Sequence, residues 1–594
     1  MKDTEKRHNF FTLFPRVMKS MFEVDRLYIF VVSIVTIVQS LIPALSLLIM
    51  QQLINLIQVG IEDFLCVAIL VIIYISVDLF STITNGLMNY YTTKFSLKFN
   101  LSIKKTIMEK ASRLSLWYYE NSAIYDKIKL AERADGGTLM GQFSTLISLV
   151  GTCITALSYV VILLRFSCII IFVIVITPIA KYFIINSINK KQFNIVKART
   201  NKERKTWYYN FIVTNGTHYK ELKIYNLFHY FIEKFEVLIK GFNAQDIEIG
   251  KEILIKVTIA SIIEQIITGA IFTFTIYCGF MGLILIGDVV TYTRAIISNQ
   301  GCIQSILQNI SQIKKSNLYI SQFYGFIDLE ETKSLQEGKK TMMEDQIRSI
   351  RVENLSFKYD TGDYVLNNIN FTFAGSKMFA IVGENGSGKT TLSKLLLGLY
   401  DNYEGNIYVN GIELRTIDKE SYMKKTASLF QDYIRYDATF RENIAYGNLD
   451  IINEDEKLNK ISSIVKLRNI IDRSNKKLDT QLGYWFDEGM QISIGEWQKL
   501  SIARTLSRNA DLIVLDEPNS ALDAISDYEI SLLYRQLLQN RIGIIVAHRF
   551  NNFIHQAGCI LVFDKGSLVE RGTHIELMNQ GGIYREMYKL QHSE

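Results

Sequence analysis

The chain has 594 residues, of which 48% are hydrophobic and 21% charged, with a formal net charge of +6. That apolar share is high for a water-soluble enzyme, and so small a charge excess over so long a chain gives no reason to expect a nucleic-acid partner. Six cysteines (66, 153, 168, 278, 302, 559) form no CxxC pair, and the first five fall in or beside apolar runs, so they read as small buried hydrophobes, not a disulfide frame or zinc site.

Residues 1–26 are basic and amphipathic, and no small-residue cleavage site closes the apolar run after them, so the first membrane segment is expected to stay attached. That run, Leu27 to Met50, is 24 residues without a charge. At 1.5 Å per residue it reaches roughly 36 Å, enough for a hydrocarbon core of about 30 Å. Further runs cover Phe64–Asn85, about Phe143–Leu164, Cys168–Asn186, about Val257–Ile286, and Val289 to about Ile313, the last carrying Arg294, Asn299 and Gln300. One such run could be a buried soluble helix, but six in one half predict a six-helix, all-α transmembrane domain over 27–325.

The connections at Gly60–Asp63, Arg165–Ser167 and Gly287–Asp288 are short, whereas Lys94–Arg133 and Lys190–Lys251 are long and rich in Lys and Arg. The positive-inside rule puts the long loops and the N-terminus in the cytoplasm, and an even number of crossings returns the second half there. The stretches from Trp117 to Ala134 and from Arg204 to Phe211 look helical; they are either solvated hairpins or tips that touch the second half. Ionisable residues within spans are costly, so Asp78, Glu264 and Arg294 either line a polar translocation cavity, or lie near the interface or pair with one another. Residues 326–349, with the charged stretch Glu331–Ser349, read as a linker to a domain over 350–594.

In that domain an apolar strand, Phe379–Val382, runs into Gly383-Glu384-Asn385-Gly386-Ser387-Gly388-Lys389-Thr390-Thr391, and a helix-like run follows. This is the strand, Gly-x4-Gly-Lys-Thr, helix order of a P-loop. Its backbone N–H groups and helix N-terminus suit phosphate, Lys389 would reach the β- and γ-phosphates, and Thr390 would hold Mg²⁺. A second strand, Leu512–Leu515, delivers Asp516, whose carboxylate would order the Mg²⁺ shell, and Glu517, suited to act as general base. A third, Ile544–Ala547, delivers His548 to the same edge, where it would position the attacking water. The expected fold here is an α/β P-loop nucleotide-binding domain with its ligands at the strand C-termini.

Together these residues resemble the ATP-binding cassette of ABC transporters, and six spans followed by one cassette resemble an exporter half-transporter. The resemblance implies ATP and Mg²⁺ as cofactors, Tyr359 as the aromatic on adenine, and Gln431 as the residue linking Mg²⁺ to the membrane domain. It makes Asp516 and Glu517 the Walker B pair, Ser520–Asp523 the D-loop, His548 the switch histidine, and the long-loop tips coupling helices. Where the family has Leu-Ser-Gly-Gly-Gln, this chain has Ile492-Ser493-Ile494-Gly495-Glu496. Ser493 is placed as an N-cap and, with Gly495, would face ATP bound by a second chain. Ile494 puts a β-branched side chain where the family has glycine in a tight turn, and slower ATP turnover is the expected result.

Leu478–Gly489, the Glu496-Trp-Gln-Lys499 run and Arg204–Tyr209 further resemble the exporters of lantibiotics of the nisin and subtilin type. The cargo so implied is a dehydrated and cyclised precursor peptide with its leader attached; only 26 residues precede Leu27, so leader cleavage would fall to another protein. The implied partners are a second half-transporter (an identical chain), the peptide, lanthipeptide-modifying enzymes and membrane lipids, in a bacterial plasma membrane. An exporter of lipids or drugs, and an ATP-binding membrane scaffold that does not transport, are the alternatives.

Overall fold

The structure is a computed structural model that describes residues 10–60, 64–120, 136–329, 341–359, 362–375, 377–516, 524–547 and 554–592. The chain divides into two compact units, Met1–Ser112 with Ser122–Leu329, and Arg113–Asn121 with Glu330–Glu594.

The first unit is helical. An amphipathic helix, Phe10–Val24, buries Leu13, Val17 and Met21, one residue per turn along a single face. Six long helices follow: Arg26–Val59, Phe64–Arg113, Gly136–Leu164, Cys168–Thr214, Phe228–Phe280 and Ile286–Ile327. Asp25 caps the first by accepting from the N–H groups of Leu27 and Tyr28, and Gly60 ends it in the left-handed region at φ 75°. Among the described residues, four of the six are long and apolar enough to cross a membrane: Arg26–Val59, Phe64–Arg113, Gly136–Leu164 and Phe228–Phe280. The helices Cys168–Thr214 and Ile286–Ile327 carry more polar side chains, among them Lys181, Arg294, Asn299 and Gln304. At 50 and 53 residues, Phe64–Arg113 and Phe228–Phe280 far exceed a bilayer core of about 30 Å, so they continue beyond it.

One boundary differs from expectation. The turn between the last two long helices lies at Met281–Leu285 instead of Gly287–Asp288. Apolar side chains occupy this turn, so hydropathy runs through it unbroken. Asp288 sits inside the last helix, where its carboxylate accepts from Leu285 N–H at 3.1 Å, Gln51 Nε2 at 2.5 Å and Asn55 Nδ2 at 3.0 Å.

The second unit is built on two sheets. An antiparallel sheet orders β2 (Leu366–Ala374), β1 (Ser349–Phe357), β4 (Glu404–Val409) and β5 (Ile412–Glu413). The other orders β10 (Ser567–Gly572), β9 (Cys559–Asp564), β3 (Met378–Gly383), β8 (Ile542–Ala547), β7 (Leu512–Asp516) and β6 (Thr426–Leu429). From β9 to β6 its neighbours are parallel. The inner strands β3, β7 and β8 are near-continuous apolar runs, as strands covered on both faces require. The register pairs Val382 with Ala547, Val546 with Asp516 and Leu515 with Leu429, so β3, β8, β7 and β6 end at one edge.

Candidate nucleotide site

That shared edge carries the phosphate loop. β3 ends at Gly383, and the helix Lys389–Leu396 begins six residues later with Gly388 at its N-cap, φ 96°. Gly383 has φ 155°, and a Cβ there would stand 2.2 Å from Phe563 O and 2.8 Å from Ser387 Oγ, so only glycine fits. Lys389 is 3% exposed, and its ammonium donates to the carbonyls of Gly383 at 2.9 Å and Glu384 at 2.7 Å. Glu384, Asn385 and Gly386 form the exposed crest. Ser387 is buried, and its hydroxyl oxygen has no hydrogen-bond partner among the described residues, an arrangement that fits an incoming anionic acceptor.

Thr390 Oγ1 lies 3.3 Å from Oδ1 of Asp516, a carboxylate only 4% exposed at the end of β7. A hydroxyl and a carboxylate this close at the mouth of a phosphate loop are a donor set suited to Mg²⁺. Gln431 is exposed two residues beyond the end of β6, the strand that pairs with β7. Tyr359 donates to or accepts from Thr391 Oγ1 at 3.2 Å, and its ring stands edge-on to Phe357 and Tyr400 at centroid distances of 5.1 and 6.1 Å. Tyr359 also lines a cleft of about 180 Å³ with Tyr364, Asn402 and Glu404. Glu517, His548 and Ser520–Asp523 lie outside the described residues.

Ser493 caps the helix Ile494–Ser507: its hydroxyl accepts from Glu496 N–H at 3.2 Å, and Glu496 Oε2 accepts from Ser493 N–H at 2.6 Å. Ile494 is the first helical residue, half exposed, and is absent from the positive-φ positions. The expected tight turn is therefore a helix start, which tolerates a side chain. Gly495 is the second helical residue. Tyr433 OH donates to Ile494 O at 3.4 Å, and Arg504 from the same helix donates to Ile434 O and to Asn443 Oδ1. Burial pushes the Arg504 guanidinium below its ordinary range. The segment after Gln431 is thus fastened to the helix Ile494–Ser507.

In the membrane unit, Asp78 and Arg294 are exposed on their helices. Glu264 is 4% exposed, pairs with Lys181 Nζ at 3.3 Å and accepts from Gln304 Nε2 at 3.0 Å. Sequence reasoning passed over Lys181, although a lone cation in the fourth apolar run was its signal. It also passed over Glu120, whose short helix Leu116–Glu120 packs Leu116 and Trp117 against the cassette core. Among the described residues no cluster of three or more His, Cys, Asp or Glu forms a metal site, and Cys153, Cys278, Cys302 and Cys559 are free cysteines.

The sequence profile described as "ABC transporter" matches residues 366–520. Over 574 residues, 96% of this chain and 93% of the other, the chain is 35% identical to the subtilin transport ATP-binding protein SpaT of Bacillus subtilis. The chain belongs to the ABC transporter family. It is 31% identical to the nisin transport ATP-binding protein NisT of Lactococcus lactis subsp. lactis, over 99% of this chain and 98% of that one. With the ATP-dependent lipid A-core flippase of Alcanivorax borkumensis it shares 27% over 71% of each chain. The fold matches a bacterial Atm1-family ABC exporter solved with ATP bound, with TM-score 0.83 over 96% of this chain and 99% of that one at 21% identity. This ABC transporter is thus an ATP-hydrolysing exporter, a multi-pass membrane protein whose ATP-binding domain is cytoplasmic.

Proposed function

We propose that this exporter moves a modified precursor peptide of the lantibiotic type, leader attached, from the cytoplasm across the cell membrane, working as a dimer of identical chains. The observation that carries this reading is the span of the similarity to the subtilin and nisin transport proteins, which covers both the membrane half and the cassette. Similarity to the lipid flippase, which supports lipid cargo as the second reading, covers 71% of the chain.

In this reading Gly383–Thr391 cradle the phosphates through backbone N–H groups, and Lys389 exchanges its two carbonyl partners for phosphate oxygens. Thr390, Asp516 and Gln431 would hold Mg²⁺, which when bound shields charge between the β- and γ-phosphates. Tyr359 supports adenine, Glu517 takes a proton from the attacking water, and His548 orients that water toward phosphorus. Ser493 and Gly495 donate to the γ-phosphate held by the other chain, so closure of the dimer completes each site. Asp78, Glu264 and Arg294 line the translocation path, Glu264 through the polar cluster it forms with Lys181 and Gln304. Modifying enzymes that deliver the peptide are expected to associate with the cytoplasmic face.

The test is transport into inside-out vesicles. ATP-dependent uptake of modified, leader-bearing peptide that is lost in Glu517→Gln supports the proposal. Fluorescent lipid flipped in an ATP-dependent way with no peptide uptake overturns it.

A further inference from the structure

Residues 113–121 belong to the cassette unit although they come from the membrane half of the sequence. Leu116 and Trp117 supply apolar attachment. Glu120 makes a different kind of contact. One carboxylate oxygen accepts from Lys394 Nζ at 2.9 Å, and the other accepts from the Tyr400 hydroxyl. Lys394 stands on the helix Lys389–Leu396, one turn beyond Lys389 and Thr390. Tyr400 is 1% exposed and packs edge-on to Tyr359, whose hydroxyl meets Thr391. One carboxylate therefore touches the helix that follows the phosphate loop and, through Tyr400, reaches the ring of Tyr359 beside it.

An ion pair with a third of its surface in water contributes little by itself. The bond to Tyr400 weighs more, because it tethers a buried ring: without its acceptor the hydroxyl has to reorient or bear the cost of desolvation, and without the hydroxyl the ring loses the tether. Reorienting Tyr400 moves the edge against which Tyr359 rests. We propose that Glu120 is a positioning residue for ATP binding, holding Lys394 and Tyr400, and through Tyr400 the ring of Tyr359, in the arrangement that accepts adenine. This rests on the assignment of Tyr359 to adenine made above. By linkage, whatever displaces this loop tip weakens ATP binding, and bound ATP resists its displacement to the same degree.

The experiment titrates a fluorescent ATP analogue and measures ATPase kinetics on the full-length transporter in nanodiscs. Glu120→Ala is expected to raise Kd and KM about five-fold, with a smaller change in kcat. Glu120→Gln, which still accepts from Tyr400, recovers most of the affinity. Tyr400→Phe, which deletes a single oxygen and carries the test should Glu120→Ala fail to fold, matches Glu120→Ala, and the double variant is no worse than either. Unchanged Kd and KM in Glu120→Ala and Tyr400→Phe, or a fall confined to kcat, overturns the proposal and leaves Glu120 a mere attachment. Tyr359→Ala separates the two assignments: wild-type Kd there removes the adenine reading itself, whereas weakened binding beside an unaffected Glu120→Ala overturns only the role of Glu120.

Discussion

Lys181 and Glu264 meet across two long helices of the first unit, Nζ 3.3 Å from Oε2, with side chains 15% and 5% exposed. Gln304 brings a third helix to the same carboxylate. Removing one member of such a pair strands the other charge, which costs about 3–5 kcal/mol, whereas replacing both by apolar groups is close to neutral. Glu264→Leu and Lys181→Met are each expected to lower the midpoint of thermal unfolding in detergent, and the double variant to recover most of the loss. Single variants as stable as wild type would contradict the pairing.

Lys389 is buried and aimed along the phosphate loop. Lys389→Met keeps the length of the side chain and removes the cation, so ATP hydrolysis should fall at least about 100-fold with unchanged elution from a sizing column. Phosphate release at saturating ATP measures it.

Ile494 starts a helix capped by Ser493. Ile494→Gly carries no relief of backbone strain and loses about 0.5 kcal/mol of helix propensity, so any gain in turnover comes from space at the ATP-facing surface. A several-fold rise in ATPase rate is expected, and an unchanged rate would clear the isoleucine of limiting turnover. Ser493→Ala removes the cap, costs about 1 kcal/mol and should slow hydrolysis.

Arg441 binds Asp479 and Asp455, each at 2.6 Å, and the guanidinium holds the Asp479 carboxyl below its ordinary range. A depressed carboxyl pKa adds stability that is fully present above the unfolded value, about 4, and is lost as pH falls through the folded one. The difference in unfolding midpoint between wild type and Arg441→Leu should therefore be constant from pH 7 to 5 and shrink below pH 4. A difference that widens on acidification would reverse the sign.

The phosphate loop was legible because its pattern is local: Gly383 to Thr391 are consecutive, and Gly386 and Gly388 take positive φ within the same turn. Asp516 was legible because a strand ending in an acid is also a local pattern. The turn at Met281–Leu285 was not, since hydropathy registers composition and the turn is built from apolar residues. Lys181 and Glu120 escaped for a third reason. Their partners are 83 and 280 residues away, and a lone charge in a span or loop looks the same in sequence whether it is solvated or paired.

The placement of residues 113–121 within the cassette has a practical side. A polypeptide starting at the linker would fold with a groove open where Leu116 and Trp117 normally lie, and with Lys394 and Tyr400 lacking their carboxylate. Such a fragment is a receptor for its own missing strip of chain. A synthetic nonapeptide of residues 113–121, added in trans, should bind it and raise its melting temperature.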